Sequence, residues 1–346
     1  MNRKNRAKRW AAINEPKQKE GAHARQSASL FHYTTASGLI GIIQEQVLFA
    51  THANYLNDTS ELQILSELLV PQVSAEFREI VPKLIAANAF TPGLMKKYGE
   101  NVYDSEAANV CRSIMRTIET ISPFYLTSFC MHSHGSEEYN HGLLSQWRGY
   151  GRGGFAIEFD EAELDKLTQL ESKQRSLQAI ATRKVVYRNH EEFANLRAFE
   201  GLGASALGDA FREKVPALAA RPDVAQILSD REVVSYIAAF ITTIPFLKSP
   251  RFQEENEYRL IANATIPSQA KGDVRAAIKI NFREGVAGGA VPYIRLFETL
   301  EERLPIKRII VGPHRDQENQ YSAAKLLLDQ NSLDVPVVKA DTTLRY

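Results

Sequence analysis

The stretch SLFHYTTASGLIGIIQEQVLFATHANYLNDTSEL, from Ser29 to Leu62, decides the fold because its pattern of apolar residues changes repeatedly. Leu30 to Thr34 is rich in aromatic and β-branched residues, which predicts a β-strand. The apolar residues between Leu39 and Ile43 recur at helical spacing and predict a short helix. A second apolar run, Val47 to Ala50, predicts another strand. The stretch therefore predicts a strand–helix–strand unit.

This unit carries one histidine, His32, on its first predicted strand. After the second strand, Asn57 to Ser60 is a turn and helix N-cap cluster, and helical spacing follows from Glu61 to about Ala89. Two interpretations of His32 stand side by side: a histidine packed in the core, or a histidine that holds part of a ligand.

Further strands are predicted toward both ends of the chain, with helices between them. The strands are predicted at Pro123–Cys130, Phe155–Phe159, Ala181–Arg188, Glu257–Asn263, Ala276–Phe282, Val291–Phe297, Ile306–Gly312 and Val335–Val338. The helices are predicted at Ser105–Ile121, from Asp160 onward, over about 190–246 and at Gln317–Gln330. Strands and helices do not alternate one for one, which favours an α+β fold over a doubly wound parallel sheet.

The predicted organisation is a basic tail, residues 1–28, and one α+β domain, residues 29–346, with a helical insertion at about 190–246. The composition, 44% hydrophobic and 24% charged over 346 residues, is typical of a soluble globular protein. No apolar run of about 18 residues or signal-peptide core is present. Two cysteines without Cys-x-x-Cys spacing favour a cytoplasmic location and no disulfide framework.

The net charge of +1 conceals a strongly basic N-terminus. Residues 1–25 contain eight lysines and arginines against two glutamates, and they show almost no apolar periodicity. Such a segment is typical of a mobile, solvated extension. An arm that contacts nucleic acid is the alternative.

Common catalytic and metal-binding motifs do not occur in this sequence. His132, His134 and His141 lie close together, but no ordered set of acidic or cysteine partners follows, so no metal is expected. There is no P-loop and no Gly-x-Ser-x-Gly. The glycine-rich segment Gly149–Gly154 is predicted as a loop that precedes a strand, whereas a dinucleotide-binding glycine loop follows one. That order disfavours a Rossmann fold.

Glu255, Glu257 and Arg259 alternate in the segment FLKSPRFQEENEYRLI. On an extended strand the three side chains would share one face. Two carboxylates and a guanidinium together are costly to bury. This pattern indicates either an exposed edge with ion pairs or the wall of an active site, with one glutamate beside Arg259 and the other free to act on a substrate hydroxyl.

Four spaced blocks resemble the bacterial domain-of-unknown-function 2971 family. The blocks are FHYTT…GLIGIIQEQVLFATHANYLNDTSEL, LSQWRGYGRGGFAIEFD, KSPRFQEENEYRL and IKRIIVGP. The family usually has Asn-Asp-Pro-x-Glu in the first block, and this chain has a threonine, Thr59, in place of the proline. Where the family often has a tryptophan before Glu-x-Glu-x-Arg, this chain has Phe252.

The first block resembles, more distantly, the opening strand–helix–strand of ADP-ribosyltransferases. That resemblance implies a split β-sheet core, with His32 against a ribose of NAD and Glu257, or alternatively Glu255, as catalytic acid. It implies that Tyr33 or Tyr150 stacks on nicotinamide, and that Arg148, Arg152 or Arg259 meets the pyrophosphate. His32 and Glu257 are expected to line one cleft. The cofactor-binding residues that the resemblance implies are His32, Tyr33, Thr34, Asn57, Arg148, Tyr150 and Arg259.

The resemblance implies an NAD-consuming ADP-ribosyltransferase or NAD glycohydrolase, with NAD as co-substrate and a role as a bacterial toxin or phage-defence effector. The chemistry is consistent with the residues, because a carboxylate stabilises the oxocarbenium-like state formed when nicotinamide leaves. The alternative is a non-catalytic nucleotide- or nucleic-acid-binding module on the same fold.

Overall fold

The computed structural model describes most of the chain outside the N-terminus and the central insertion. The described residues are 28–56, 99–121, 123–151, 154–187, 244–265, 274–285 and 288–341, with isolated positions between 70 and 86. Residues 1–27 of the predicted tail, the Asn57–Ser60 turn, Arg152 and nearly all of the insertion at about 190–246 lie outside them, whereas Ala28 begins β1. The predictions for those segments stay predictions.

The elements of the described residues mix strands and helices along the chain. The strands are β1 Ala28–Thr34, β2 Leu48–His52, β3 Phe124–Ser133, β4 Phe155–Phe159, β5 Leu177–Lys184, β6 Val186–Tyr187, β7 Leu247–Lys248, β8 Glu257–Ala264, β9 Asn281–Glu284, β10 Ala290–Leu296, β11 Ile306–Val311 and β12 Val337–Lys339. The helices are α1 Ala36–Glu45, α2 Asn101–Ile121, α3 Glu137–His141, α4 Leu144–Gln146, α5 Glu161–Gln174 and α6 Gln317–Gln330. No helix in this part of the chain is long and apolar enough to cross a membrane.

The strand–helix–strand unit forms as predicted, as β1, α1 and β2. Thr35 caps α1 through its hydroxyl, which accepts a hydrogen bond from the Gly38 backbone N–H. Gly38 packs closely on β1, because a Cβ at this position would lie 1.9 Å from the Thr34 hydroxyl oxygen and would require that side chain to shift. Leu39 and Ile42 are buried, whereas Ile40 remains 44% exposed. The helix therefore lies directly over the end of β1.

One predicted strand and one predicted loop differ from the observed elements. The prediction at Ala276–Phe282 is wrong at its start, because residues 274–280 form no regular strand and β9 begins at Asn281. Ala276 instead makes an isolated bridge to Arg175. The glycine-rich segment Gly149–Gly154 was predicted as a loop, but its first three residues belong to a helical turn, Trp147–Gly151.

Ten of the strands form one sheet that is almost entirely antiparallel. Its order is β12-β11-β4-β1-β3-β2-β10-β9, with β8 paired to β3 and β5 paired to β8. The β11–β12 pair is parallel, as is the separate β6–β7 pair. This architecture confirms the α+β class.

The sheet forks along one edge of β3. β1 pairs with β3 from Cys130 to Ser133, whereas β2 pairs with it at Tyr125 and Leu126. The opposite edge of β3 pairs with β8 from Phe124 to Cys130. β1 and β2 therefore pair with different parts of the same edge of β3. Each begins its own series of strands, β1-β4-β11-β12 and β2-β10-β9, which we call the two wings of the sheet.

The two faces of the sheet have different coverings. Leu30, Phe129 and Leu260 belong to the main core, which α1, α5 and α6 cover. Phe31 and Cys130 belong to a smaller cluster around Trp147, on the opposite face. We call these the helix face and the Trp147 face.

Candidate functional site

A cluster of four charged side chains lies on the Trp147 face, at the start of β8. Lys248 Nζ is 2.7 Å from Glu255 Oε2 and 3.0 Å from Glu257 Oε2. Arg259 forms a two-pronged ion pair with Glu257, with Nε 2.7 Å from Oε1 and Nη2 3.0 Å from Oε2. We call Lys248, Glu255, Glu257 and Arg259 the charge cluster.

Two short elements bring Lys248 and Glu255 to this strand. Lys248 lies in β7, where it pairs with Tyr187 of β6. Ser249 then caps a 3₁₀-helix, Pro250–Glu255, with proline at its first position. Asn256 adopts a left-handed backbone conformation, with φ of 41°. This residue turns the chain from the 3₁₀-helix into β8.

The extended arrangement that would place Glu255 on one strand face with Glu257 and Arg259 therefore does not extend to Glu255. Glu255 ends the 3₁₀-helix, and its carboxylate reaches the cluster through Lys248. Asparagine tolerates the left-handed region better than most residues, and here its side-chain amide donates to the Met131 carbonyl at 2.6 Å. The three side chains still converge, but through a turn that alternation alone does not reveal.

Backbone and side-chain hydrogen bonds hold Glu257 and Arg259 in place. The Tyr187 hydroxyl accepts from the Glu257 backbone N–H at 2.7 Å, and the Glu257 carbonyl accepts from Val185 N–H at 2.9 Å. Arg259 Nη1 donates to the Pro245 carbonyl at 2.6 Å. These bonds tie β8 to β6 and to the segment that leads into β7.

The charge cluster is buried but not uniformly so. The exposed fractions of the side chains are 4% for Lys248, 4% for Glu257 and 2% for Arg259, compared with 12% for Glu255. Two cations and two carboxylates balance formally, which limits the cost of burying them. Glu255 is the member that solvent reaches most readily.

The pKa values of the two carboxyl groups shift in opposite directions. Burial alone would raise the pKa of Glu257, but the Arg259 guanidinium and Lys248 ammonium overcome it and hold that pKa below its ordinary value. Burial raises the pKa of Glu255, and the neighbouring Glu257 adds to the rise against the opposing effect of Lys248. Neighbouring acids whose pKa values are pushed apart are typical of acid–base sites.

Tyr150 and Cys130 lie close enough to the cluster to be affected by it. Burial, reinforced by Glu255, raises the pKa of Tyr150 to about 12, although 42% of this residue is exposed. Cys130 pairs directly with Glu257 across β3 and β8. Burial and the two glutamates raise the pKa of its thiol, so it is held as the neutral form.

His32 does not join the charge cluster. Phe31 pairs with Cys130, and Cys130 pairs with Glu257, so these three residues share the Trp147 face. His32 alternates to the helix face, where its ring lies 5.8 Å from that of Phe129. The expectation that His32 and Glu257 line one cleft is therefore wrong.

His32 instead lies at the fork of the sheet. Its Nδ1 is 2.9 Å from the Ser128 carbonyl oxygen, just beyond the last residue pair between β1 and β3. Burial lowers the pKa of His32, and the Arg283 guanidinium lowers it further against the opposing hydrogen bond to Ser128. The ring therefore favours its neutral form.

Tyr33 does lie on the Trp147 face, but it is 7% exposed. Its hydroxyl bonds both His132 Nε2, at 2.9 Å, and the Leu143 backbone N–H, at 2.7 Å. Its ring packs edge-on against Trp147, with centroids 4.8 Å apart. This packing leaves Tyr150 as the more accessible of the two candidate stacking residues.

The other predicted site residues are dispersed. Thr34 abuts α1, and Arg148 is exposed on the helical turn beside Trp147. Arg259 is inside the charge cluster, committed to Glu257. Asn57 and Arg152 lie outside the described residues.

Sequence reasoning missed Lys248 and Tyr187 as members of the site. A usable signal was present, since Lys248 follows the apolar run Ile244–Leu247 and a lysine that ends such a run requires a partner when buried. Tyr187 carried no comparable signal. Its contact with Glu257 depends on a pairing between segments 70 residues apart.

The three nearby histidines have separate partners in the structure. His132 meets Tyr33, His134 Nε2 lies 3.3 Å from the Ser29 hydroxyl, and His141 Nδ1 accepts from the Asp341 N–H. Burial lowers the pKa of His132 to about 4. Within the described ranges, no group of three or more His, Cys, Asp or Glu is placed to hold a metal ion.

The comparison with known families concerns the same region. Residues 146–260 match the family model described as "Protein of unknown function (DUF2971)". This match confirms the family resemblance over a segment that includes both the Trp147 turn and the charge cluster. No curated protein and no solved structure matches the chain.

Proposed function

We propose that this protein breaks the nicotinamide–ribose bond of NAD, as an ADP-ribosyltransferase or NAD glycohydrolase, with Glu255 as the carboxylate that meets the substrate. One observation carries the proposal. Glu255 has one oxygen on Lys248 and is the most exposed member of a buried cluster whose other carboxylate is held ionised. Lys248 binds Oε2 of Glu255, and in this proposal Oε1 is the oxygen that meets the ligand.

The reaction needs little covalent chemistry from the protein. The bond between ribose C1′ and the pyridinium nitrogen breaks, and its electron pair leaves with neutral nicotinamide. The ribosyl group passes through an oxocarbenium-like state, and an acceptor hydroxyl or water adds at C1′ and releases a proton. Glu255 accepts a hydrogen bond from a ribose hydroxyl, and the negative charges of Glu255 and Glu257 favour the positive charge that develops.

Tyr150 supplies the aromatic surface in this proposal. This residue is 42% exposed and lies near Glu255, which influences the pKa of its hydroxyl. A ring in that place would stack on nicotinamide and fix the direction in which it leaves. Tyr33 has a packing role behind it, through Trp147.

An ADP-ribosyltransferase-like split-sheet core is part of the same proposal. What supports it is the fork at β3, from which β1 and β2 start separate wings. In this proposal His32, which lies at the fork, shapes the cleft between the wings. It does not contact the ribose beside Glu257.

The test measures nicotinamide released from NAD by purified protein. Glu255→Gln should lower the rate by about 10²-fold or more, the usual effect of removing one transition-state contact. Glu254→Gln, an exposed neighbour on the same 3₁₀-helix, is the matched control and should keep the wild-type rate. A folded Glu255→Gln protein with unchanged nicotinamide release would overturn the assignment.

A biological role as a toxin or phage-defence effector follows from this chemistry, because a cell whose NAD is consumed stops growing. Induced expression of the wild-type chain should lower cellular NAD and arrest growth, and Glu255→Gln should relieve both effects. Normal NAD levels during wild-type expression would contradict the role.

A second candidate is a non-catalytic nucleotide-binding module. The observation that favours it is that both oxygens of Glu257 are already bound by Arg259 and Lys248, as in a structural ion pair. In that case NAD should raise the melting temperature without any nicotinamide appearing. Turnover by the wild-type protein would exclude this candidate.

A further inference from the structure

Lys248 occupies a position between the two carboxylates. Its Nζ lies 2.7 Å from Glu255 Oε2 and 3.0 Å from Glu257 Oε2. Its side chain is 4% exposed, so water cannot replace these partners freely. An ammonium has three N–H donors, and this geometry directs two of them at two different acids.

We propose that Lys248 is a positioning residue that keeps Glu255 ionised and turns its free oxygen toward the substrate. The catalytic meaning of this inference depends on the proposed function, whereas the effect of Lys248 on Glu255 does not. Because Lys248 Nζ binds Oε2 of Glu255, the other oxygen is left available. Lys248 thus selects which carboxylate, and which atom of it, can act.

The surrounding elements restrict Lys248 to this place. Its backbone pairs with Tyr187 of β6, and the Phe252 ring lies 4.8 Å from Nζ. An aromatic face attracts an ammonium, so Phe252 covers the cation without neutralising either carboxylate. The proline and capping serine that follow Lys248 then lead the chain back so that Glu255 meets it.

Glu255 needs such a partner, because most of its surroundings favour a proton. Burial and the charge of Glu257 both raise its pKa, whereas Lys248 opposes them most strongly and Arg259 adds to that opposition. The titratable and charged groups around Glu255 are Lys248 of β7, Glu257 and Arg259 of β8, Tyr187 of β6, Cys130 of β3 and Tyr150 of the Trp147 turn. Removal of Lys248 leaves Glu255 beside one acid and three neutral groups, with Arg259 already bound to Glu257.

The experiment titrates Glu255 directly. Protein with ¹³C-labelled glutamate carboxyls is followed by NMR across pH, and the Glu255 signal is assigned by its loss in Glu255→Gln. Lys248→Met should move the midpoint of Glu255 upward by about one pH unit or more, as expected for loss of an adjacent opposite charge. Lys248→Arg should restore a midpoint close to that of the wild type, and the exposed Lys279→Met serves as the control.

Activity provides a second and separate readout. The acid limb of the pH–rate profile for nicotinamide release should shift with the Glu255 midpoint. Below the midpoint, a shift of one unit lowers the rate about tenfold. A Glu255 midpoint that is unchanged in folded Lys248→Met would overturn the inference. If that variant does not fold, Lys248→Gln, which also lacks the charge, is titrated in the same way.

The two proposals fail in different ways. Wild-type protein that releases no nicotinamide, together with a Glu255 midpoint that moves in Lys248→Met, rejects the enzyme and keeps the role of Lys248. Nicotinamide release by the wild-type protein, together with a Glu255 midpoint that does not move in Lys248→Met, keeps the enzyme and rejects the role of Lys248.

Discussion

Two buried glutamates lie in one row across four strands of the sheet, and their charged partners are arranged differently. Glu158 on β4 pairs with Phe31 on β1, which pairs with Cys130 on β3, which pairs with Glu257 on β8. All four side chains therefore point to the Trp147 face. The two glutamates are 1% and 3% exposed.

Glu158 belongs to a closed ion pair. Arg308 Nε donates to its Oε2 at 2.7 Å, and the Tyr139 hydroxyl lies 3.4 Å from its Oε1. The same guanidinium donates to the Tyr139 carbonyl and stacks over the Tyr139 ring at 4.3 Å. This arrangement anchors α3 to the sheet, and among the described residues no second carboxylate is bound to Arg308.

The charge cluster differs from the Glu158 ion pair because it contains a second carboxylate, that of Glu255, on its more exposed side. Glu257 is enclosed by Arg259 and Lys248, much as Glu158 is enclosed by Arg308. Glu255 extends that enclosed pair toward solvent through Lys248. Burial alone therefore marks a structural ion pair, and the open neighbouring acid is what indicates a site.

The largest effect on folding should follow from breaking the closed pair. Arg308→Met leaves Glu158 buried without the guanidinium that binds its Oε2, which should lower the free energy of unfolding by about 3–5 kcal/mol. Urea denaturation measures this loss. Lys307→Met is the matched control, since this lysine is 43% exposed and 4.0 Å from Glu158, and it should cost less than about 1 kcal/mol.

Activity gives the other half of this test. Nicotinamide release per folded molecule should be the same for Arg308→Met and the wild type, because Glu158 lies outside the proposed site. A selective loss of turnover in the folded variant would mean that the two glutamates are not functionally distinct.

Prediction from the sequence succeeded where a local pattern of residues determines the structure. The unit β1–α1–β2 was predicted because aromatic and β-branched runs flank a helical spacing at Leu39 to Ile43. It failed where distant segments meet. The separation of His32 from Glu257 depends on the register of β1 with β3 and of β3 with β8, which no local pattern encodes.

In the charge cluster, too, a local pattern predicted one part of the arrangement, and contacts between distant segments determine the other. Alternation predicted that Glu257 and Arg259 share a face, and the structure confirms that pair on β8. The turn at Asn256 displaced Glu255 from the strand, and the return of Lys248 to both acids depends on the β6–β7 pairing. The missed part of the site is therefore the part that tertiary contacts assemble.

A second prediction concerns acid stability. The pKa of Glu257 is lower in the folded protein than its ordinary value, so its stabilising effect is present at neutral pH and is lost as pH falls through that lowered pKa. The free energy of unfolding should decline more gradually toward acid pH in Glu257→Gln than in the wild type. Melting curves across pH measure the slope, with Glu254→Gln as the exposed control.

If the acid slope of Glu257→Gln equals that of the wild type, Arg259 and Lys248 do not favour the ionised form of Glu257. The cluster would then lack the asymmetry between Glu257 and Glu255 that distinguishes it from the Glu158 pair.

A third prediction separates the exposed ring from the buried one. Tyr150→Ala should weaken NAD binding by about 1–3 kcal/mol, the usual contribution of one base-stacking aromatic, with little change in melting temperature because the ring is 42% exposed. Tyr33→Phe is the contrasting variant. It removes the hydroxyl that bonds His132 and the Leu143 N–H, so stability should fall. Calorimetric titration with NAD, together with thermal melting, measures both. Unaltered NAD affinity in Tyr150→Ala would exclude Tyr150 as the stacking residue.

The smallest effect on the folded domain is expected from removing residues 1–25. This segment holds eight basic and two acidic residues, and its sequence lacks the apolar periodicity that would dock it on a core. Deletion should leave the melting temperature and nicotinamide release nearly unchanged. If the segment is a nucleic-acid arm, the deletion should weaken binding of a short single strand and flatten its dependence on salt, because fewer counterions are released. Binding is measured at two salt concentrations with full-length and truncated protein. Equal affinities would reject the arm, and a large drop in melting temperature would show that the segment, for instance through Trp10, packs on the domain.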